Sequence, residues 1–170
     1  FNIWKNCKEN RREQKNKSEE ILKYIELLIF RKQNVNLNGT LSDKSKIQIP
    51  KDEHPAYFEW AVWRAFLSLD SLSNKPWDAR RFEIDQDFLP LNHAPGGGAD
   101  VIIELENILL IVEVTLTSSS RQEAAEGEPV RRHVADALEK NEILNKRVYG
   151  LFIALNIDTN TANTFRVGEW

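Results

Sequence analysis

Residues 99 to 117 constrain this chain more than any other stretch. Two segments, 99–105 and 108–117, are dense in Val, Ile and Leu and are separated by Glu106-Asn107. Such runs bounded by turn residues are strand signals, and two residues is the length of a tight hairpin loop. Asn107 tolerates the left-handed backbone that such loops require. With this loop, Leu105 faces Ile108, Ile103 faces Leu110 and Val101 faces Val112. One face of the hairpin then carries Val101, Ile103, Leu105, Ile108, Leu110, Val112, Val114 and Leu116. Every member is aliphatic, so this face must be covered by other elements.

Helical signals flank the hairpin. Ser18 is an N-cap type, and Glu19 and Glu20 suit the positive end of a helix. Ile21, Leu22, Ile25, Leu28 and Ile29 then recur at helical spacing, which predicts a helix over 19–32. Residues 1–17 form a short helix or an arm, and 33–51 read as loop. Pro55 suits the first position of a helix. Tyr57, Phe58, Ala61, Val62, Ala65, Phe66 and Leu69 continue that helix over 55–69. Residues 70–80 are loop, and 81–91 hold at most one short strand. Pro95-Gly96-Gly97-Gly98 is a turn suited to glycine backbone. A third helix is predicted from Pro129 to about residue 141, with Val130, Val134, Ala137 and Leu138 on one face. A strand follows over 148–155, then a short helix within 158–170. This order predicts a mixed α/β domain with helices packed on a sheet.

The chain has 170 residues and is 41% hydrophobic and 29% charged, which excludes wholesale disorder. A single cysteine, Cys7, excludes a disulfide framework, and no Cys/His group has zinc-site spacing. No apolar stretch approaches the length of a bilayer span, and no secretory signal is visible, so an intracellular protein is expected. The lack of any methionine suggests a chain that has lost its natural N-terminus or is seen only where it is ordered. Charge is uneven. Residues 1–50 hold 11 Lys/Arg against 6 Asp/Glu, net +5, whereas residues 51–170 hold 12 against 20, net −8. With a pI of about 5.7, any contact with nucleic acid needs help from another molecule.

The hairpin register also places Asp100 opposite Glu113 on the second face. Directly opposed Cβ atoms lie roughly 4.5–5.5 Å apart, and two like charges so placed repel. Two explanations are open. In the structural one, Asp100 caps the glycine turn and Glu113 sits on a solvated face. In the functional one, a divalent cation offsets the repulsion, and Mg²⁺ takes oxygen ligands of this kind. Glu113 lies between Ile111 and Thr115 in a strand without other charges. A carboxylate in such apolar surroundings needs a partner, which favours a metal or catalytic site.

Asp100 followed by Glu113-Val114-Thr115 has the spacing of the PD-(D/E)XK nucleases. Longer text is more specific. His93-Ala94-Pro95-Gly96-Gly97-Gly98-Ala99-Asp100, then Glu113-Val114-Thr115-Leu116-Thr117-Ser118-Ser119-Ser120-Arg121-Gln122, then Glu126-Gly127-Glu128-Pro129-Val130-Arg131-Arg132-His133-Val134, resembles the catalytic block of the AlwI-type restriction endonucleases. These are type IIS enzymes, and some relatives nick one strand. The resemblance covers residues 91–141 closely and the flanks loosely. It implies a PD-(D/E)XK core over 51–170, with the basic helical region 1–50 packed on it or docking a partner. Asp100 and Glu113 are implied as Mg²⁺ ligands. Glu59 is implied as a third, because the helix before the sheet often lends an acidic ligand in this superfamily. Glu126 and His133 are implied in positioning water or relaying its proton. Thr115 stands where the superfamily usually has lysine; it can hydrogen-bond a water but carries no charge. Arg121, Arg131 and Arg132 are candidate phosphate contacts.

Full-length type IIS enzymes carry a separate recognition region, for which 170 residues leave no room. The resemblance therefore implies the small, cleavage-only subunit of a heterodimeric bacterial enzyme acting on double-stranded DNA in the cytoplasm. A larger nicking subunit would read the site. Two alternatives remain: a non-catalytic docking subunit that keeps the nuclease fold, or a stand-alone structure-specific nuclease.

Overall fold

The computed structural model describes residues 17–30, 47, 49–69, 71–119, 121–141 and 145–167. The expectations for residues 1–16 and for most of 33–51 lie outside this set. The elements are α1 (Ser18–Phe30), a single 3₁₀ turn (Lys51–Glu53), α2 (His54–Ser68), β1 (Val101–Glu104), β2 (Ile108–Thr115), α3 (Arg121–Asn141), β3 (Arg147–Ala154) and α4 (Thr159–Val167).

β1 and β2 form the antiparallel hairpin, with Val101 opposite Val112 and Ile103 opposite Leu110. β3 lies parallel to β2, with Glu113 beside Phe152 and Thr115 beside Ala154. Among the described residues the sheet order is β1-β2-β3. Parallel neighbours need a crossover connection, and α3 supplies it. The mixed α/β class is as the sequence predicts, but four local expectations change. The hairpin keeps its register, yet Asn107 is not left-handed; outside glycine, only Phe88 and Asn145 have positive φ among the described residues. Leu105 N–H to the Ile108 carbonyl, at 2.8 Å, closes the loop without it. Residues 81–91 form no strand, only isolated bridges from Ile84 to Pro90 and from Arg80 to Val101. α1 begins at Ser18 itself, with the Lys17 carbonyl accepting from Ile21 N–H.

The fourth change is the largest. α3 starts at Arg121, so Pro129 lies inside the helix rather than opening it. Ser119 supplies the start, since its hydroxyl accepts from Arg121 N–H and its carbonyl from Gln122 N–H. The following Gln122-Glu123-Ala124-Ala125-Glu126 consists of good helix formers. Tertiary packing of a 21-residue helix outweighs the hydrogen bond that Pro129 cannot donate.

Both faces of the sheet are covered. Val101, Ile103 and Val112 are buried with α2 in one apolar cluster, while Leu109 and Ile111 meet Val134 and Ala137 of α3 in another. Each fully buried aliphatic side chain contributes about 1.5–3 kcal/mol. α2 is buried over nearly every residue from Ala56 to Arg64, as befits a helix enclosed on all sides. Its Trp60 N–H donates to the Phe88 carbonyl and its Trp63 N–H to the Pro76 carbonyl, at 2.8 and 3.0 Å. The long 71–99 segment is thereby tied to α2. α1 joins the same core through Tyr24 and Leu28, and Glu20 pairs with the buried Arg64 at 2.9 Å. Among the described residues no helix is long and apolar enough to cross a membrane.

Candidate active site

The hairpin register carries Asp100 and Glu113 to facing positions one step beyond the Val101–Val112 pair. Glu113 and Thr115 are two apart on β2 and share its second face, beneath α3. Glu126 and His133 are seven apart on α3, two turns, so they share one helix face. The two faces meet. The Thr115 hydroxyl donates to Glu126 Oε1 at 2.8 Å, and His133 Nδ1 lies 2.5 Å from Glu113 Oε1. Glu59 arrives from α2 and accepts Ala94 N–H on Oε2 at 2.6 Å. Asp100 accepts Val114 N–H on Oδ2 at 2.8 Å. Glu113 is 6% exposed and Glu59 6%, so the solvated alternative for Glu113 is excluded.

Burial and mutual repulsion push these carboxyls above the ordinary range. Burial, then the charge of Asp100, pushes Glu59 up to about 8 against the opposing Ala94 hydrogen bond. Burial raises Asp100 to about 6; the Val114 N–H opposes this and the charge of Glu126 adds to it. Glu113 rises to about 8, through burial first and then Asp100, Glu126 and Glu59. His133 is lowered, chiefly by burial and then by Arg132. The Glu113 and His133 shifts both favour an uncharged pair, so in the cation-free protein at neutral pH the carboxyl holds the proton and Nδ1 accepts it. His133 Nε2 is then a buried donor with no partner among the described residues.

The donor set fits a hard divalent cation. It consists of carboxyl oxygens that repel one another, and each carboxyl commits only one oxygen to a protein partner. Among the described residues, however, no three His, Cys, Asp or Glu side chains converge into a ready-made metal cage. Asp100, Glu113 and Glu59 would offer at most part of a coordination shell, with water and ligand oxygens needed for the rest.

The expected phosphate contacts fare differently. Arg121 and Arg132 are exposed on α3, with Arg132 paired to Glu128 at 3.1 Å. Arg131 instead lines an apolar cavity of about 500 Å³ between α3, β3 and α4, whose lining includes none of these carboxyls. Two residues carry weight that the sequence did not signal. Gln122, fully buried, donates to the Thr117 and Asn156 carbonyls and accepts Asp158 N–H, binding the ends of β2 and β3 to α3. Its spacing from Ser119 suggests a capping box, but its amide is used elsewhere. Arg81 is the second, and its charge acts on Asp100, Glu113 and His133 alike.

The model of the AlwI restriction endonuclease family matches residues 1–170. This chain belongs to the AlwI restriction endonuclease family. Among solved structures, the AlwI-family chain is similar to the small subunit, R.BspD6I2, of the heterodimeric restriction endonuclease R.BspD6I, with 26% identity and a TM-score of 0.63. That match covers 86% of this chain and 64% of the subunit's length. No curated protein matches the chain.

Proposed function

We propose that this chain is the cleaving small subunit of a heterodimeric type IIS restriction endonuclease of the PD-(D/E)XK type. It hydrolyses one strand of double-stranded DNA at a fixed distance from a site read by a larger subunit, with Mg²⁺ as cofactor. Family membership supports the nuclease chemistry, and the likeness to a small subunit supports the division of labour. The observation that carries the reading is the mutually repelling set of buried Glu113 and Glu59 with half-buried Asp100 at the end of the hairpin, each with an uncommitted oxygen.

Asp100 and Glu113 hold the cation, and Glu59 adds a third carboxyl. When bound, the cation offsets charge at the phosphoryl group and makes water more acidic. His133 fixes the Glu113 carboxyl through Nδ1. Glu126, held by the Thr115 hydroxyl, takes a proton from the attacking water. The water oxygen bonds to phosphorus, one P–O ester bond breaks, the departing oxygen takes a proton from solvent, and Glu126 returns its proton to solvent. The part of residues 1–50 that precedes α1 serves docking or DNA steering.

One observation favours a non-catalytic docking subunit instead: Thr115 in place of the usual lysine. A plasmid assay separates the two. Supercoiled DNA bearing the site is incubated with this chain, with its large subunit, and with both, with and without Mg²⁺. Linear product only in the Mg²⁺-containing mixture is expected. Nicked product alone in the mixture means a docking subunit, and efficient linearisation by this chain alone means a stand-alone nuclease.

A further inference from the structure

The acidic site lacks a cation on β2, since Thr115 is neutral. Another element brings one. The bridge between Arg80 and Val101 is antiparallel, and Ile102 N–H donates to the Ala79 carbonyl at 2.8 Å. One step along that register, Arg81 stands opposite Asp100. Its guanidinium lies against the glycine turn, with Nη2 3.4 Å from the Gly96 carbonyl. A Cβ at Gly98 would fall 2.5 Å from Nη1 and 3.0 Å from Cζ. Glycine at 98 is therefore what lets the guanidinium lie there. Nη1 is buried and has no hydrogen-bond partner among the described residues. Among the described residues no carboxylate pairs with it, although Asp100 and Glu113 both feel its charge.

A buried, unspent guanidinium donor is costly and calls for an explanation. A structural arginine in acidic surroundings would close an ion pair, as Arg64 does with Glu20. Arg81 spends Nη2 only on the Gly96 carbonyl and keeps Nη1 unspent beside Asp100. The planar fork matches two oxygens of a phosphate group.

We propose that Arg81 is the phosphate-binding cation of this site, taking non-bridging oxygens of the phosphodiester under attack in place of the lysine that Thr115 replaces. For a phosphate to reach Nη1, the exposed Gly96-Gly97 turn that covers it has to move aside. This rests on the nuclease reading above.

The test uses the complete complex, comparing R81A, R81K and G98A with wild type and with E113Q. Losing a donor that acts where charge develops lowers rate by about 10²–10³-fold. R81A is expected to slow cutting of this subunit's strand by that factor, and R81K to recover only part of it. G98A, which displaces the guanidinium, should follow R81A. Calorimetry on the free chain is expected to show Mg²⁺ affinity unchanged or tighter in R81A, because a positive neighbour has gone. A phosphorothioate at the cut phosphate should slow the wild type more than R81A. Near-wild-type cutting by R81A overturns the proposal, and so does a rate loss matched by equal losses of Mg²⁺ affinity and melting temperature. If E113Q is inactive while R81A cuts normally, only the Arg81 assignment fails. If E113Q also cuts, the nuclease reading fails with it.

Discussion

Glu113 concentrates the site's conflict in a single side chain. It is buried, hydrogen-bonded to His133, and pushed up to about 8. A carboxyl whose folded pKa exceeds its unfolded value stabilises the fold below the unfolded pKa, and that contribution is lost as pH rises through the folded value. Glu59 acts the same way. The cation-free protein should therefore melt at progressively lower temperature from about pH 4.5 to 8, the interval between the ordinary and the raised values. E113Q should flatten that decline, abolish strand cleavage, and leave the melting temperature at pH 8 no lower than wild type. A calorimetric pH series with and without Mg²⁺ measures this, and a wild-type melting temperature that rises over the interval would refute it. His133 supports Glu113 from behind, so H133A should cut rate by about 10–100-fold and cost less in Mg²⁺ affinity, as single-turnover kinetics and calorimetry would show. The Asp100–Glu113 opposition was legible because strand periodicity and a two-residue loop fix register locally. Arg81 was not legible, because its place beside Asp100 depends on a bridge between Arg80 and Val101, 21 residues apart in sequence, which no local pattern encodes.

At the scale of elements, α3 joins the chemistry to the scaffold. One face brings Glu126 and His133 to β2, while Val134 packs so closely on β3 that a Cβ at Gly150 would lie 2.8 Å from Val134 Cγ2. Overpacking of this kind costs roughly 1–3 kcal/mol. In a domain of this size each kcal/mol moves the melting temperature by about 2–4 °C. G150A should therefore lower the melting temperature by several degrees. It should also slow cleavage, because pushing α3 off the sheet lengthens the His133–Glu113 and Glu126–Thr115 contacts. V134A in the G150A background should restore both, which a melting curve and a nicking assay can score; no recovery would show that Val134 is not the obstacle. The helix itself was half legible. Its apolar face at Val130, Val134 and Ala137 stood out by periodicity. Its first two turns were hidden because Pro129 imitates a helix start, and a proline's cost inside a helix is met by packing that sequence does not display.

Across the whole molecule, charge and core divide the chain at different places. Charge divides it near residue 50, with net +5 before and −8 after. The core does not: α1 places Ile21, Tyr24 and Leu28 in the buried interior, and Glu20 is the ion-pair partner of Arg64, itself 1% exposed. A chain beginning at residue 51 would leave Arg64 without that carboxylate and uncover the aromatic surface of Tyr57 and Trp60 that Tyr24 covers. The Glu20 side chain is 39% exposed, so solvent screens part of that loss and it costs less than the about 3–5 kcal/mol of a fully buried pair; uncovering the core that Ile21, Tyr24 and Leu28 fill adds the larger share. Residues 51–170 alone should therefore fail to melt cooperatively, whereas residues 17–170 should melt like the full chain. Residues 1–16 carry five Lys/Arg against two Glu, and each phosphate neutralised adds about 0.9 to the salt dependence of duplex binding. Removing them should leave the melting temperature unchanged while weakening the already low affinity for non-specific DNA and flattening its salt dependence. Circular dichroism melts and fluorescence anisotropy on a short duplex at several salt concentrations decide the matter. A cooperative 51–170 fragment would make α1 an appendage. A 17–170 fragment that binds DNA as well as the full chain would move the steering charge away from the N-terminal segment.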